Sequence, residues 1–308
     1  MLTFPRPPLP ARDREVEQSA RDPLLVTKLQ LPPAPLDLVP RPHLADRIEP
    51  IDNQQLAILC APTGFGKTTA LREWSERSSR RVAWLSLDQG DNDPTRFWQY
   101  VIAALEVWEP GIGTHPLSLL RMVEPITLEY VVTSIVNELA CQPTRYALVL
   151  DDYHVITDPA IHRSLRYLLD HLPAQLRLVI ASRVDPPLGL PRLRAQGGLI
   201  ELRGPDLRFT TDEATTFLID ALGLALETDD VLRLERRTEG WIAGLRLAGT
   251  ALRQAGDPRA FIERFNGQHR SIGDYLAGEV LDQQPPDVQR FLLETSILDR
   301  LSGPLCDA

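Results

Sequence analysis

The stretch Leu56-Ala57-Ile58-Leu59-Cys60-Ala61-Pro62-Thr63-Gly64-Phe65-Gly66-Lys67-Thr68-Thr69 decides how the rest of the chain is read. It opens as a short apolar run, which fits a strand buried on both faces. Two glycines follow at a spacing that lets successive backbone N–H groups turn inward around phosphate oxygens. A helical stretch then begins at Lys67 and runs to about Ser79, turning its positive end toward the same anion. Ala61–Thr68 matches the P-loop pattern with alanine in place of the first glycine. On this reading Lys67 reaches the β- and γ-phosphates of ATP or ADP, and Thr68 ligates Mg2+ through its hydroxyl. Ala61, Pro62, Thr63, Gly64, Phe65, Gly66 and Thr69 complete the loop. The plainer alternative is a glycine turn beside an ordinary surface lysine; the strand before and the helix after favour the nucleotide site.

Outward from this stretch, apolar strands alternate with helical segments. Strands are expected at Arg81–Leu87, Tyr146–Leu150, Leu176–Ala181 and Leu199–Leu202. Asp93 followed by Pro94 reads as a cap and a first helical position, with Phe97, Tyr100, Val101, Ala104 and Leu105 at helical spacing. Further helices are expected over Leu128–Leu139 and Ile161–Leu172. The fold class is therefore α/β, a P-loop NTPase domain with a five-stranded parallel sheet covered on both faces. Leu148-Val149-Leu150-Asp151-Asp152 ends one strand in two carboxylates, where parallel sheets bind their ligands. Asp151 is expected to hold magnesium, usually through water. Asp152 stands where many P-loop ATPases carry a glutamate that positions the attacking water, and its shorter side chain argues for slow hydrolysis. Arg183 ends the next strand and could sense the γ-phosphate. The alternative for all three is a set of solvated strand-end charges.

Composition narrows the function classes. The chain has 308 residues, 43% of them hydrophobic, enough for a sizeable core. Its net charge of −9 is a poor basis for nucleic-acid binding by these residues alone. Cys60, Cys141 and Cys306 are scattered and lack metal-ligand spacing, which fits a reduced, cytoplasmic compartment. No apolar run approaches the roughly 20 residues of a membrane helix, and the start lacks a signal-peptide pattern. Residues 1–22 read as a disordered tail rich in proline and charge. Residues 23–50 read as an ordered but mostly irregular arm. Past residue 204 the pattern is all-helical: a capping box at Thr210–Glu213 opens a helix to about Leu222. Thr228 is expected to cap the next, which ends near Gly240. Trp241–Gln254 (closed by Gly256), Phe261–Phe265, Tyr275–Leu281 and Val288–Glu294 continue the pattern. His154 and His162 lack the further ligands a metal site needs, and Arg233, Arg236 and Arg237 fit the solvated face of a helix.

In their order these segments resemble the N-terminal nucleotide-binding part of the large LuxR-type ATP-dependent regulators, the MalT-like branch of the STAND NTPases. The resemblance is carried by Thr27-Lys28-Leu29 with Val39-Pro40-Arg41, the P-loop, Ser86-Leu87-Asp88 with Asp91-Asn92-Asp93, and Leu148–Tyr153. It continues in Ala181-Ser182-Arg183, Gly240–Leu245, Asp274-Tyr275-Leu276 and Phe291–Leu298. It implies a signal-controlled switch that rests with ADP, exchanges to ATP, self-associates when an inducer binds, and is reset by slow Mg2+-dependent ATP hydrolysis. It also implies that Lys67, Thr68, Asp151 and Arg183 serve phosphate, magnesium and γ-phosphate sensing, and that Val39 and Arg41 lie near the base or ribose. Trp241 matches a helical-domain signature, with packing in a helix face as its expected role. The domains implied are a tail (1–22), an arm (23–50), the nucleotide-binding domain (51–205), a helical domain (206–270) and the start of a winged-helix domain (271–308). DNA would be reached only through a C-terminal helix-turn-helix absent from this chain. Two alternatives stay open: a non-catalytic interaction module stabilised by nucleotide, and a P-loop ATPase or kinase of another class.

Overall fold

The computed structural model describes residues 23–122, 127–255, 257–265, 273–275, 277–281 and 286–296. The expectations for the tail at 1–22, for Gly256 and Leu276, and for the stretch after Ser296 with Cys306 lie outside them. The chain forms two compact units. The first holds the residues up to Ala34, Arg41–Ala61 and Lys67–Arg203; the second holds Pro35–Pro40, Pro62–Gly66 and the residues from Gly204 on.

The first unit is built on five strands: β1 (Leu56–Cys60), β2 (Arg81–Ser86), β3 (Tyr146–Asp151), β4 (Leu176–Ser182) and β5 (Leu199–Arg203). They run in the order β2-β3-β4-β1-β5, and every neighbouring pair is parallel. The strand leading into the P-loop is thus central, in register with β4 from Leu56↔Leu178 to Cys60↔Ser182. All five residues of β1 and all six of β3 are buried, as continuous apolar runs flanked by crossover helices require. The expected limits of β2 to β5 agree with these to within one residue, and the apolar run expected over Gln55–Pro62 shortens to Leu56–Cys60.

The helices of this unit are α1 (Pro42–Ile48), α2 (Lys67–Arg77), α3 (Pro94–Glu106), α4 (Thr114–Leu120), α5 (Leu128–Ala140), α6 (Pro159–Asp170) and α7 (Leu190–Ala195). Asp93 caps α3 by accepting from the Arg96 N–H, with Pro94 at the first position. Asp158 and Pro159 repeat the device at α6, where Asp158 accepts from Ala160 and Ile161. The arm is more regular than the sequence suggested. Its residues 42–48 form α1, which starts on a proline and buries Leu44, Ala45 and Ile48. Lys28 anchors the preceding turn. Its buried ammonium pairs with the fully buried Asp91, sits 3.0 Å from Asp88 and lies 4.6 Å from the centre of the Tyr100 ring.

The second unit contains α8 (Thr211–Thr215), which continues as a π turn to Ala221, then α9 (Thr228–Thr238), α10 (Ile242–Leu252), α11 (Pro258–Arg264) and α12 (Pro286–Thr295). The Thr210–Glu213 capping box forms with both reciprocal bonds. Thr228 does not cap α9: it is the first helical residue, and Glu227 precedes it without a side-chain cap. The core gathers Phe209, Phe217, Leu234, Leu245 and Phe265, and Val39 of the arm is buried among them.

Candidate functional site

At the C-terminal ends of β1, β3 and β4 the first unit brings together the charged residues expected there. Lys67 opens α2 and is buried, and its Nζ donates to the Ala61 carbonyl at 2.8 Å. The Thr68 hydroxyl donates to a carboxylate oxygen of Asp151 at 3.1 Å, across 83 residues of sequence. Burial and the neighbouring Asp152 raise the Asp151 pKa to about 6, against the Thr68 bond and the charge of Lys67, which lower it. Burial lowers the Lys67 pKa, while Asp152 and Asp151 raise it and Arg183 lowers it further. Lys67, Asp151, Asp152 and Arg183 therefore share one electrostatic environment.

Asp152 follows in the left-handed conformation, φ +59°, uncommon for a residue with a side chain. Its carboxylate is 48% exposed and lies 3.7 Å from His154 Nδ1. His154, which lacks the further ligands of a metal site, belongs to this cluster. Burial depresses its pKa to about 4, partly offset by Asp152, and its buried Nδ1 has no hydrogen-bond partner among the described residues. The backbone N–H of Arg41 donates to both oxygens of Glu73 on α2, at 3.0 and 2.8 Å, which ties α1 to the P-loop helix.

The loop tip, Pro62–Gly66, belongs to the second unit. Trp241 Nε1 donates to the Thr63 carbonyl at 3.1 Å, and the Ala243 N–H donates to the Gly64 carbonyl at 3.1 Å. The hydroxyls of Thr63 and Tyr275 are 3.2 Å apart, and the Trp241 and Tyr275 rings meet edge to face. The sequence offered packing as the role of Trp241; its indole also grips the loop backbone. Gly64 and Gly66 have φ of +77° and +76°. A Cβ on Gly64 would stand 2.5 Å from the Ala243 Cβ and 2.8 Å from Trp241 Nε1. Gly64→Ala is thus expected to cost about 2–4 kcal/mol, from the left-handed backbone and the overlap together. Urea unfolding would measure it. Adding Ala243→Gly should recover part of the loss, and no recovery would remove the steric explanation.

These groups suit a magnesium–nucleotide. A buried ammonium, the first N–H groups of α2 and a Thr–Asp oxygen pair are what a phosphate and a hard cation take. Among the described residues no cluster of three or more His, Cys, Asp or Glu could hold a metal. Magnesium does not need one, since it keeps several waters and takes further oxygens from phosphates. The same geometry makes the metal-free site costly. Asp151 is protonated in folded and unfolded chains below pH 4. As pH rises through 6 the folded chain alone must bury a carboxylate, so stability is lost. Metal-free Asp151→Asn is expected to be about 2–3 kcal/mol more stable than the parent at pH 7.5, with the gap closing toward pH 4. Denaturant unfolding in chelator across that range tests it; a gap independent of pH would contradict it.

Cys60 and Cys141 are both free thiols, and burial raises the pKa of Cys60. Among the described residues no helix is long and apolar enough to cross a membrane.

Residues 277–308 match a family described as the MalT winged helix domain. The HTH-type transcriptional regulator MalT of Yersinia enterocolitica is 34% identical over 284 residues, 92% of this chain and 31% of that protein. The serine/threonine-protein kinase PknK of Mycobacterium tuberculosis is 35% identical over 274 residues, 88% of this chain and 25% of the kinase. The chain thus spans about a third or less of the relatives it matches. In fold it is similar to a Signal Transduction ATPase with Numerous Domains (STAND) protein with a tetratricopeptide repeat sensor from Pyrococcus horikoshii. That match has a TM-score of 0.50 and 15% identity, and covers 88% of this chain and 36% of the other. By sequence, over nearly all of its length, the chain is similar to a segment of the MalT regulator, and in residues 277–308 to the MalT winged helix family.

Proposed function

We propose that this chain is the nucleotide-binding switch of a signalling regulator, taking ATP or ADP with magnesium at Ala61–Thr69. The observation that carries the reading is the Thr68–Asp151 contact beside the buried Lys67, which brings two distant motifs together. Lys67 holds the β- and γ-phosphates, Thr68 and Asp151 hold magnesium, and Arg183 senses the γ-phosphate. Bound magnesium neutralises phosphate charge. Of the two arm residues we retain Arg41 for base or ribose contact, because the Val39 side chain is engaged in the second core. Asp152 orients water poorly: it is short, half exposed and set in a left-handed turn, so hydrolysis is slow and resets the switch rather than driving metabolism.

The output is carried outside these residues. The same stretch matches a transcriptional regulator and a protein kinase about equally well. We therefore assign the chain the nucleotide-dependent step and place DNA contact, inducer recognition and ATP-dependent self-association in a longer parent, acting in the cytoplasm. A second reading, a nucleotide-stabilised module without turnover, draws on the same placement of Asp152.

The experiment is to purify the chain, denature it, identify released nucleotide by chromatography, and follow exchange with magnesium-ATP. Co-purifying ADP with very slow turnover supports the switch. Binding without any turnover, with the same oligomeric state in ATP and ADP, selects the second reading. Rapid steady turnover without an inducer would point to a P-loop ATPase or kinase of another class.

A further inference from the structure

A second charged site lies at the opposite end of the sheet from Asp151. It opens at the start of β3 and β4, five residue steps or ~17 Å along the strand from that carboxylate. Here a polar hollow of about 460 Å3 is lined by Arg80, Arg145, Arg177 and Asp52, with the side-chain amides of Asn53 and Gln142. Three guanidiniums face one carboxylate, so the hollow is locally cationic on a chain whose net charge is −9. Its volume falls within the range of small-molecule sites, roughly 300–1,000 Å3.

The cations differ in what holds them. Arg80 is buried; it pairs with Asp52 and donates to the carbonyls of Tyr146 and Gln175. Arg177 donates to the carbonyls of Ile51, Asp52, Pro173 and Leu176. Both are fixed by the ends of the strands and provide charge that needs no reordering on binding. Arg145 lines the hollow, is 64% exposed and touches Asp52 through Nη1 at 2.8 Å, the one hydrogen bond of its side chain among the described residues. Asp52 answers all three arginines, and their proximity lowers its pKa against the effect of burial. The same crowding, with burial, lowers the pKa of Arg177. An added anion would relieve this excess, and a guanidinium fork matches phosphate oxygens in shape.

We propose that this hollow binds a small phosphate-bearing anion of the pyrophosphate class, with Arg145 as the docking fork and Arg80 and Arg177 as fixed counter-charges. Inorganic pyrophosphate serves as the probe, titrated calorimetrically in magnesium-free buffer at low salt. The proteins are the parent chain, Lys67→Ala, and Lys67→Ala with Arg145→Gln. Saturable binding should persist in Lys67→Ala and weaken about tenfold when Arg145→Gln is added. Gln142→Glu, which places a like charge at the mouth, should weaken it as well. A parallel titration with ADP in Lys67→Ala shows whether the diphosphate is taken free or carried on a nucleoside. Binding that vanishes in Lys67→Ala, or that ignores both Arg145→Gln and Gln142→Glu, would overturn the proposal. Should the nucleotide reading itself fail, the parent and Lys67→Ala would bind pyrophosphate alike, and the Arg145 dependence would still be read. Arg145 is exposed, so its replacement leaves the fold intact; if Lys67→Ala does not fold, Lys67→Met takes its place.

Discussion

Lys67→Ala is expected to weaken ADP and ATP binding by about 100-fold or more, and the purified variant should carry no nucleotide. The side chain is buried, so its ammonium would meet phosphate oxygens where water screens little. Hydrogen bonds to charged groups contribute about 1.5–3 kcal/mol each, and more than one phosphate oxygen is within the expected reach of an ammonium with three donors. Two decades in affinity correspond to about 2.7 kcal/mol. The variant also loses the bond to the Ala61 carbonyl and removes the ammonium charge that Asp151 and Asp152 feel. Calorimetry with magnesium-ADP on parent and variant, with folding checked by circular dichroism, measures the loss. Equal nucleotide occupancy in the two would mean that the P-loop is not the site. Lys67→Arg should not rescue binding, because a planar fork does not replace a compact point charge at this depth.

Lys28→Ala should cost about 3–5 kcal/mol of stability, the usual consequence of removing one partner from a buried ion pair. Asp91 has no exposed surface, and its carboxylate accepts from both the Lys28 ammonium and the Asp88 N–H. Without Lys28 it faces only the Arg96 guanidinium, at 3.8 Å. The lost ammonium also gives up its place over Tyr100. The charge is the decisive quantity, so Lys28→Met with Asp91→Asn should be far less harmful than Lys28→Ala alone. Urea unfolding of the three variants checks this. A loss below about 1 kcal/mol for Lys28→Ala would show that the carboxylate finds other partners at little cost.

The two predictions draw on different kinds of information. Lys67 was legible because its signal is local: an apolar run, two glycines and a helix start fall within fourteen residues, and each has its own physical reason. Asp151 was legible for a similar reason, as a carboxylate ending a continuous apolar strand. The Lys28–Asp91 pair spans 63 residues, and neither residue announces its partner. Helix α1 was missed because Pro40 and Pro42 read as breakers. Proline at a first helical position is tolerated there, and the burial of Leu44 and Ile48 supplies what propensity does not. Thr228 read as a cap by residue type, but a threonine one position inside the helix cannot accept from the N–H groups that a cap serves.

By itself, then, the sequence determined the α/β class, the strands, the glycine turn between β1 and α2 and the carboxylate that ends β3, because periodicity and turn chemistry act over a few residues. Tertiary structure alone decided which distant groups share a volume. It brought Trp241 onto the Thr63 carbonyl across 178 residues. It set His154 beside Asp152, and it gathered Arg80, Arg145 and Arg177 at the opposite end of the sheet. Such encounters depend on strand order and packing, and a long-range hydrogen bond or a shared field leaves no periodic mark in the chain that makes it.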